Sequence, residues 1–348
     1  RADRAHGNLD AEEAALEQVR YQLLAMRGNG SANLAATHGE TATLGDVLYT
    51  TCDPGEEWWS IKASSLELDQ AEGFGTARHM TLRLGQVPIL YLPFLKFPID
   101  ERRHTGFLFP SIGASRERGV DIAAPYYIDI APNLDATLTP RLMTKRGVML
   151  GGEFRYLLEQ HQGEIAGTWL PNDDETDRDR GSFHYEHQGT LSTNWQVLAD
   201  VNLISDDRYY EDFGDSLSTA RTTLLESTAG IWGRGQFWTA SVALQSWKIA
   251  DPYIPDDAEP FRRLPRARFD WEQPLHRYVV AGVTSEAVMF DHDDKPGAAR
   301  VDLYPYIAFP FERAAGFVRP QIGYRYTHYE LDSDYLPGFP ERSPTRGV

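Results

Sequence analysis

Between about residues 106 and 331 the chain reads as a series of segments, each roughly ten residues long, in which apolar and polar side chains strictly alternate. In residues 132–142, Leu134, Ala136, Leu138 and Leu142 fall on one side, and Asp135, Thr137, Thr139 and Arg141 on the other. Successive side chains of a strand point to opposite faces, so each segment carries hydrocarbon on one face and solvated groups on the other. The pattern recurs with little drift. Trp195, Val197, Ala199, Val201 and Leu203 oppose Asn194, Gln196, Asp200 and Asn202. Trp238, Ala240, Val242 and Leu244 oppose Thr239, Ser241 and Gln245, and Val301, Leu303, Ile307 and Phe309 oppose Asp302, Tyr304 and Tyr306. A soluble sandwich or solenoid also alternates, but strands there are usually about 5–6 residues long. Long alternating segments in series mark a transmembrane barrel, with lipid outside and a polar lumen inside. Aromatic residues near segment ends, Trp169, Trp232, Trp247 and Trp271, suit the membrane interface.

The links between segments alternate in length. Residues 159–163, 190–194, 232–236, 272–277 and 311–316 read as tight turns, whereas 171–181, 205–219, 250–262 and 291–299 are longer and acidic. That asymmetry matches the short periplasmic turns and longer extracellular loops of outer-membrane barrels. The chain carries 51 acidic and 34 basic residues, a net charge of −17, and the four long links hold 17 of the acids against 5 bases. Such a rim suits Ca²⁺ or Mg²⁺, but the run from Asp173 to Asp179 lacks the glycine and distal glutamate of a calcium loop, and Arg178 interrupts it. No metal site, cofactor or nucleic-acid partner is assigned. The longest apolar run, Val87 to Leu95, contains two prolines and is far shorter than the about 20 residues of a membrane-spanning helix. About thirteen strands follow residue 105, and bacterial single-chain barrels usually have even numbers. The expectation is therefore the front portion of a longer protein, ending in a long loop at 332–348.

Residues 1–100 alternate in shorter strands and contain a repeat. Gly28-Asn29-Gly30-Ser31-Ala32 and Gly73-Phe74-Gly75-Thr76-Ala77 share one pattern, and each precedes a β-rich stretch. Glycines there would permit tight turns between stacked strands, which suggests a solenoid or an elongated jelly roll. No helix or lysine follows, so a phosphate-cradling loop is disfavoured. Apolar strands with small residues could line a greasy trough, or simply form a sandwich core. Cys52 is the sole cysteine, and it pairs with a cysteine elsewhere or stays a free thiol. Ser182, His184 and Glu186 share one strand face, but parallel side chains about 6.5–7 Å apart do not make a hydrogen-bonded triad. No catalytic residue is assigned, and the chain does not read as an enzyme.

A resemblance enters at Tyr49-Thr50-Thr51-Cys52-Asp53-Pro54-Gly55. With Trp59–Ala63, Val87–Pro93, Phe97–Arg103, Gly106–Ser111 and Pro125–Arg141, these residues resemble the lipopolysaccharide-assembly outer-membrane family LptD, also called the organic-solvent-tolerance family. The likeness is dense from about 46 to 158 and rests on strand pattern beyond 160. It implies an all-β chain, with a periplasmic β-jelly-roll at 1–100 and the N-terminal part of an outer-membrane barrel at 101–348. It implies transport: the jelly roll accepts lipopolysaccharide from an LptA-like periplasmic bridge. The sugar then crosses the lumen of a barrel plugged by an LptE-like lipoprotein, and the lipid leaves sideways between the first and last strands. Cys52 matches one cysteine of the family's inter-domain disulfides, whose other members this chain lacks. Pro110 and Pro125 fall in the first two barrel strands, where a residue without an N–H weakens pairing, as a lateral gate requires. The alternatives are strand punctuation for these prolines, and for the whole chain a passive porin or receptor barrel, or an outer-membrane lipid-modifying enzyme.

Overall fold

In the computed structural model, the described residues are 1–8, 13–23, 28–53, 58–100, 102–214, 222–332 and 345–347. Pro54, Gly55 and Glu101 of the family motifs, residues 215–219 and most of the terminal loop lie outside them. The chain divides into two compact units, Arg1–Phe107 and Leu108–Val348. No helix of the described residues is long and apolar enough to cross a membrane.

The first unit is one antiparallel sheet whose strands hydrogen-bond in chain order: β1 (Arg4–Asn8), β2 (Glu13–Leu23), β3 (Gly28–His38), β4 (Thr41–Thr50), β5 (Trp59–Asp69), β6 (Phe74–Leu84) and β7 (Val87–Pro98). Its long strands bend along a crease. Gln18, Asp46 and His79, on alternate strands, have φ of 53°, 50° and 50°, a conformation uncommon for side-chain-bearing residues. The pairing on either side puts Gln18 opposite Asn33, Asn33 opposite Asp46, Asp46 opposite Ser64 and Ser64 opposite His79. Asn33 donates to Asp46 Oδ2 at 2.9 Å, tying two members together. Apolar side chains change parity at the crease: Ala42 and Leu44 give way to Val47 and Tyr49, and Gly75 and Ala77 to Met80 and Leu82. One face thus stays apolar throughout. On it Val19, Ala32, Val47, Ala63, Ala77 and Met80 are at most 9% exposed, although no second sheet of this unit covers them among the described residues. The sheet must curl over its own apolar side. Of the repeat glycines only Gly73 sits in a turn; Gly30 and Gly75 lie within strands, where a Cβ would collide with the rings of Tyr21 and Phe97. Their use is room for an aromatic ring rather than turning.

The second unit is an antiparallel barrel. Among the described residues, thirteen strands from Ser111–Ser115 to Tyr326–Leu331 pair with their chain neighbours, with the second and thirteenth each read as one strand broken in two. Thr345–Gly347 then brings the sheet round to closure. The expected partial barrel is closed here, as backbone groups in hydrocarbon require. The last ladder before closure is short: Thr345–Gly347 meets Tyr326–Leu331 at three positions, whereas Leu224–Arg234 and Trp238–Ile249 pair at eleven.

Register confirms the two faces. Leu138, Leu142, Leu203, Val242, Leu244, Val301 and Leu303 are exposed on the outside, while Asp135 and Asp302 are buried on the inside. Trp169 and Trp271 point outward as expected of interface aromatics, but Trp232 lies opposite Gln196 and Trp247 opposite Glu226, so both face the lumen. The link expected at 171–181 is mostly strand. His161–Asp173 and Arg178–Ser192 run up to a four-residue turn, because Asp173 pairs with Arg146 and Arg180 rather than with water. The tight turn expected at 311–316 is instead a small hairpin of Phe311–Arg313 with Gly316–Val318.

Arginine at Val201, on the lipid side, should weaken the barrel by about 2–4 kcal/mol, and arginine at Asn202 by far less. Heat-modifiable gel mobility and unfolding in detergent micelles should separate the two variants; equal tolerance would contradict the facing.

Candidate functional site

Pro110 and Pro125 sit at matching levels of adjacent strands. Pro110 immediately precedes Ser111–Ser115, and Pro125 separates Gly119–Ala123 from Tyr126–Ala131. The Leu108 N–H donates to the Pro125 carbonyl at 2.9 Å, and the Ala124 N–H to the Pro140 carbonyl at 3.1 Å. Three neighbouring strands therefore each lose an N–H at one level. Pro140 went unread in the sequence, although its spacing of fifteen residues from Pro125, like that of Pro125 from Pro110, was there to be seen. Around this break Leu108, Phe109 and Ile112 are strongly exposed, Phe109 at 99%.

The lumen wall is charged and largely paired. Arg155 bonds Asp135 at 2.8 Å, Arg141 bonds Asp121 at 2.6 Å, Arg266 bonds Glu286 at 2.6 Å and Arg325 bonds Asp302 at 2.9 Å. Ser182, His184 and Glu186 face this lumen without forming a chain: Ser182 bonds Thr168 at 2.8 Å and His184 bonds Asn202 at 2.9 Å. Among the described residues no group of His, Cys, Asp and Glu is placed to hold a metal ion.

At the long-loop end, the link after Trp195–Ile204 folds inward as a short helix, α1 (Tyr209–Phe213). Tyr209 and Phe213 pack with Met143, Met149 and Leu170, all of them at most 4% exposed. Two buried arginines tie the helix to the wall. Arg146 contacts Asp173 at 3.0 Å and Asp212 at 3.0 Å; Arg180 contacts Asp173 at 3.0 Å, Asp212 at 2.6 Å and Asp206 at 2.7 Å. Both guanidiniums also lie over the Phe213 ring, at 5.5 and 4.7 Å from its centroid. Burial alone would raise the Asp206 carboxyl, but hydrogen bonds from Arg180 and Ser205 hold it below its ordinary range. Asp173, with Asp206 and Asp212 of the next long link, thus forms a latch.

In the first unit, Cys52 follows β4 half-buried, its N–H donating to Thr50 Oγ1 at 3.1 Å. Hydrogen bonds from the Thr50 hydroxyl and from the backbone at Trp59 lower the thiol pKa. The basic stretch before the barrel is engaged rather than free. Arg102 and His104 both bind Asp100, at 2.5 and 2.8 Å, and these contacts, His104 first, hold that carboxyl down at about 2.

Residues 178–347 match the sequence profile of LptD, LPS transport system D, and residues 76–231 that of LptD_2, LptD protein. An LPS-assembly protein LptD of Xanthomonas oryzae pv. oryzae is 42% identical across 100% of this chain and 47% of its own length. One from Xylella fastidiosa is 39% identical, also over 47% of its length. The chain spans about half the length of these curated relatives. A BenF-like porin of Pseudomonas fluorescens Pf-5 aligns over 97% of this chain and 90% of its own, at 11% identity and a TM-score of 0.25, and supports nothing further.

Removing one partner of a buried ion pair costs about 3–5 kcal/mol. Arg180→Met should therefore free α1, seen as new protease cleavage within 205–214 while the barrel stays folded. In the parent, the lowered Asp206 pKa means that its share of the latch is fully present above about pH 3.9 and lost as pH falls further. Cleavage at pH 5 should match that at pH 7.

Proposed function

The chain belongs to the LptD family, and on that premise we propose that it is a part of an outer-membrane translocon that accepts lipopolysaccharide at its first unit and inserts it into the outer leaflet through its barrel. It is an assembly protein and not an enzyme. The observation that carries the reading is the pairing of two surfaces of opposite character: an apolar, curled sheet face that suits acyl chains, and a polar, ion-paired lumen that suits sugar.

The first unit is periplasmic in this reading. Among the described residues its terminal strand β1 pairs only with β2, so its other edge offers N–H and C=O groups to an added strand. That edge is the dock for an LptA-like bridge, while an LptE-like lipoprotein plugs the lumen. The seam for lateral release lies at the prolines, Pro110 and Pro125 with Pro140 beside them. Cys52 is bonded to a cysteine of the full-length protein outside this chain, which holds the acceptor domain in place.

Photo-crosslinkers at the inward positions Ile61, Leu66 and Leu82 should capture lipopolysaccharide in cells, and those at the outward positions Lys62, Glu67 and Arg83 should not. Capture only at outward positions would make the domain a docking module.

Replacing Pro110 and Pro125 together by serine should restore ladder hydrogen bonds worth about 0.5–1.5 kcal/mol net each. Surface lipopolysaccharide should fall and large hydrophobic antibiotics enter, with barrel folding normal. The non-reducing mobility shift of a bonded Cys52, absent in Cys52→Ser, should persist. Unchanged transport would place the seam elsewhere.

A further inference from the structure

One stretch of the lumen wall departs from the paired pattern. Between Trp195–Ile204 and Arg262–His276 lies a cavity of about 750 Å³ whose lining includes Asn194, Gln196, Trp232, Arg234, Thr239 and Ser241. Register sets these in rows. Gln196 lies opposite Trp232, Trp232 opposite Ser241 and Ser241 opposite Arg268, so amide, indole, hydroxyl and guanidinium line up across four strands. Arg234, Thr239 and Asp270 form the adjoining row. At about 4.8 Å per strand the first row spans roughly 14 Å, the reach of several sugar rings rather than one.

What sets the patch apart is its lack of internal partners. Among the described residues, the side chains of Asn194, Gln196, Arg234, Thr239 and Ser241 make no hydrogen bond or ion pair, and the Trp232 ring makes no ring or cation contact. Arg268 is occupied by Asp270 at 2.8 Å, which leaves Arg234 as the free cation of the patch. An indole offers a flat face to the C–H side of a sugar ring, while amides and hydroxyls exchange hydrogen bonds with its hydroxyls. A free guanidinium forks onto a phosphate or carboxylate. A protein segment would call for apolar anchor pockets, and this lining has one large ring and is otherwise mainly polar.

We propose that the Gln196–Trp232–Ser241 row with Arg234 is a binding site for an oligosaccharide carrying an anionic group. The site rests on the transport reading above and supplies a foothold for the sugar on its way through the lumen.

The test uses the full-length protein in detergent and, as probe, the deacylated, phosphorylated core oligosaccharide of lipopolysaccharide. Trp232→Ala should weaken binding about tenfold or more, equivalent to about 1.4 kcal/mol. Arg234→Gln should erase the preference for the phosphorylated probe over its dephosphorylated form. Gel mobility should show both barrels folded. In cells, a photo-crosslinker at Ser241 should capture lipopolysaccharide. Unchanged affinity in Trp232→Ala, or capture of a protein alone at Ser241, would overturn the site. Capture of lipopolysaccharide at Thr284, which faces the lumen opposite Tyr304, but not at Ser241 would sink this site and leave the transport reading standing. Capture at neither position would count against both.

Discussion

Everything in the second unit follows from the price of an unpaired backbone amide in hydrocarbon, several kcal/mol for each group left without a partner. That penalty forces every strand to be paired on both sides, and hence forces the sheet to close. It also explains why prolines are so informative here. Pro110, Pro125 and Pro140 remove donors at one level of three adjacent strands. The exposed Leu108, Phe109 and Ile112 near that break show that hydrocarbon still faces outward there.

The interior obeys a different balance. A wet lumen screens charge, so most of its ion pairs add little to stability and act mainly to shape the wall. The latch at the long-loop end is the exception. Asp173 is fully buried, Arg180 nearly so, and both arginines serve more than one carboxylate. Such a cluster is costly to disturb by halves, and it holds α1 against Met143, Met149 and Leu170.

The barrel was legible from alternation because side-chain parity is a local property: Leu138 and Asp135 declare their faces without reference to any partner. Trp232 and Trp247 were misplaced because position near a strand end says nothing about parity, and only their pairing with Gln196 and Glu226 settles the side. The latch was illegible for a different reason. Arg146 and Asp173 are 27 residues apart, and an acidic run looks the same whether it meets water or arginine. The row at Trp232 was hidden likewise, since Gln196, Ser241 and Arg268 become neighbours only through registers that no local pattern reports. Closure through Thr345–Gly347 is a property of the ring as a whole.

The crease in the first unit carries an implication for how such a domain can vary. Gln18, Asn33, Asp46, Ser64 and His79 stand in line, one to a strand, and each is the point where apolar side chains change parity. Losing a single residue there would turn half a strand's hydrocarbon to water, whereas the connections between strands can lengthen at little cost. Insertions and deletions among related chains should thus gather at the hairpin tips and spare this line, making it a ruler by which distant sequences can be aligned strand for strand.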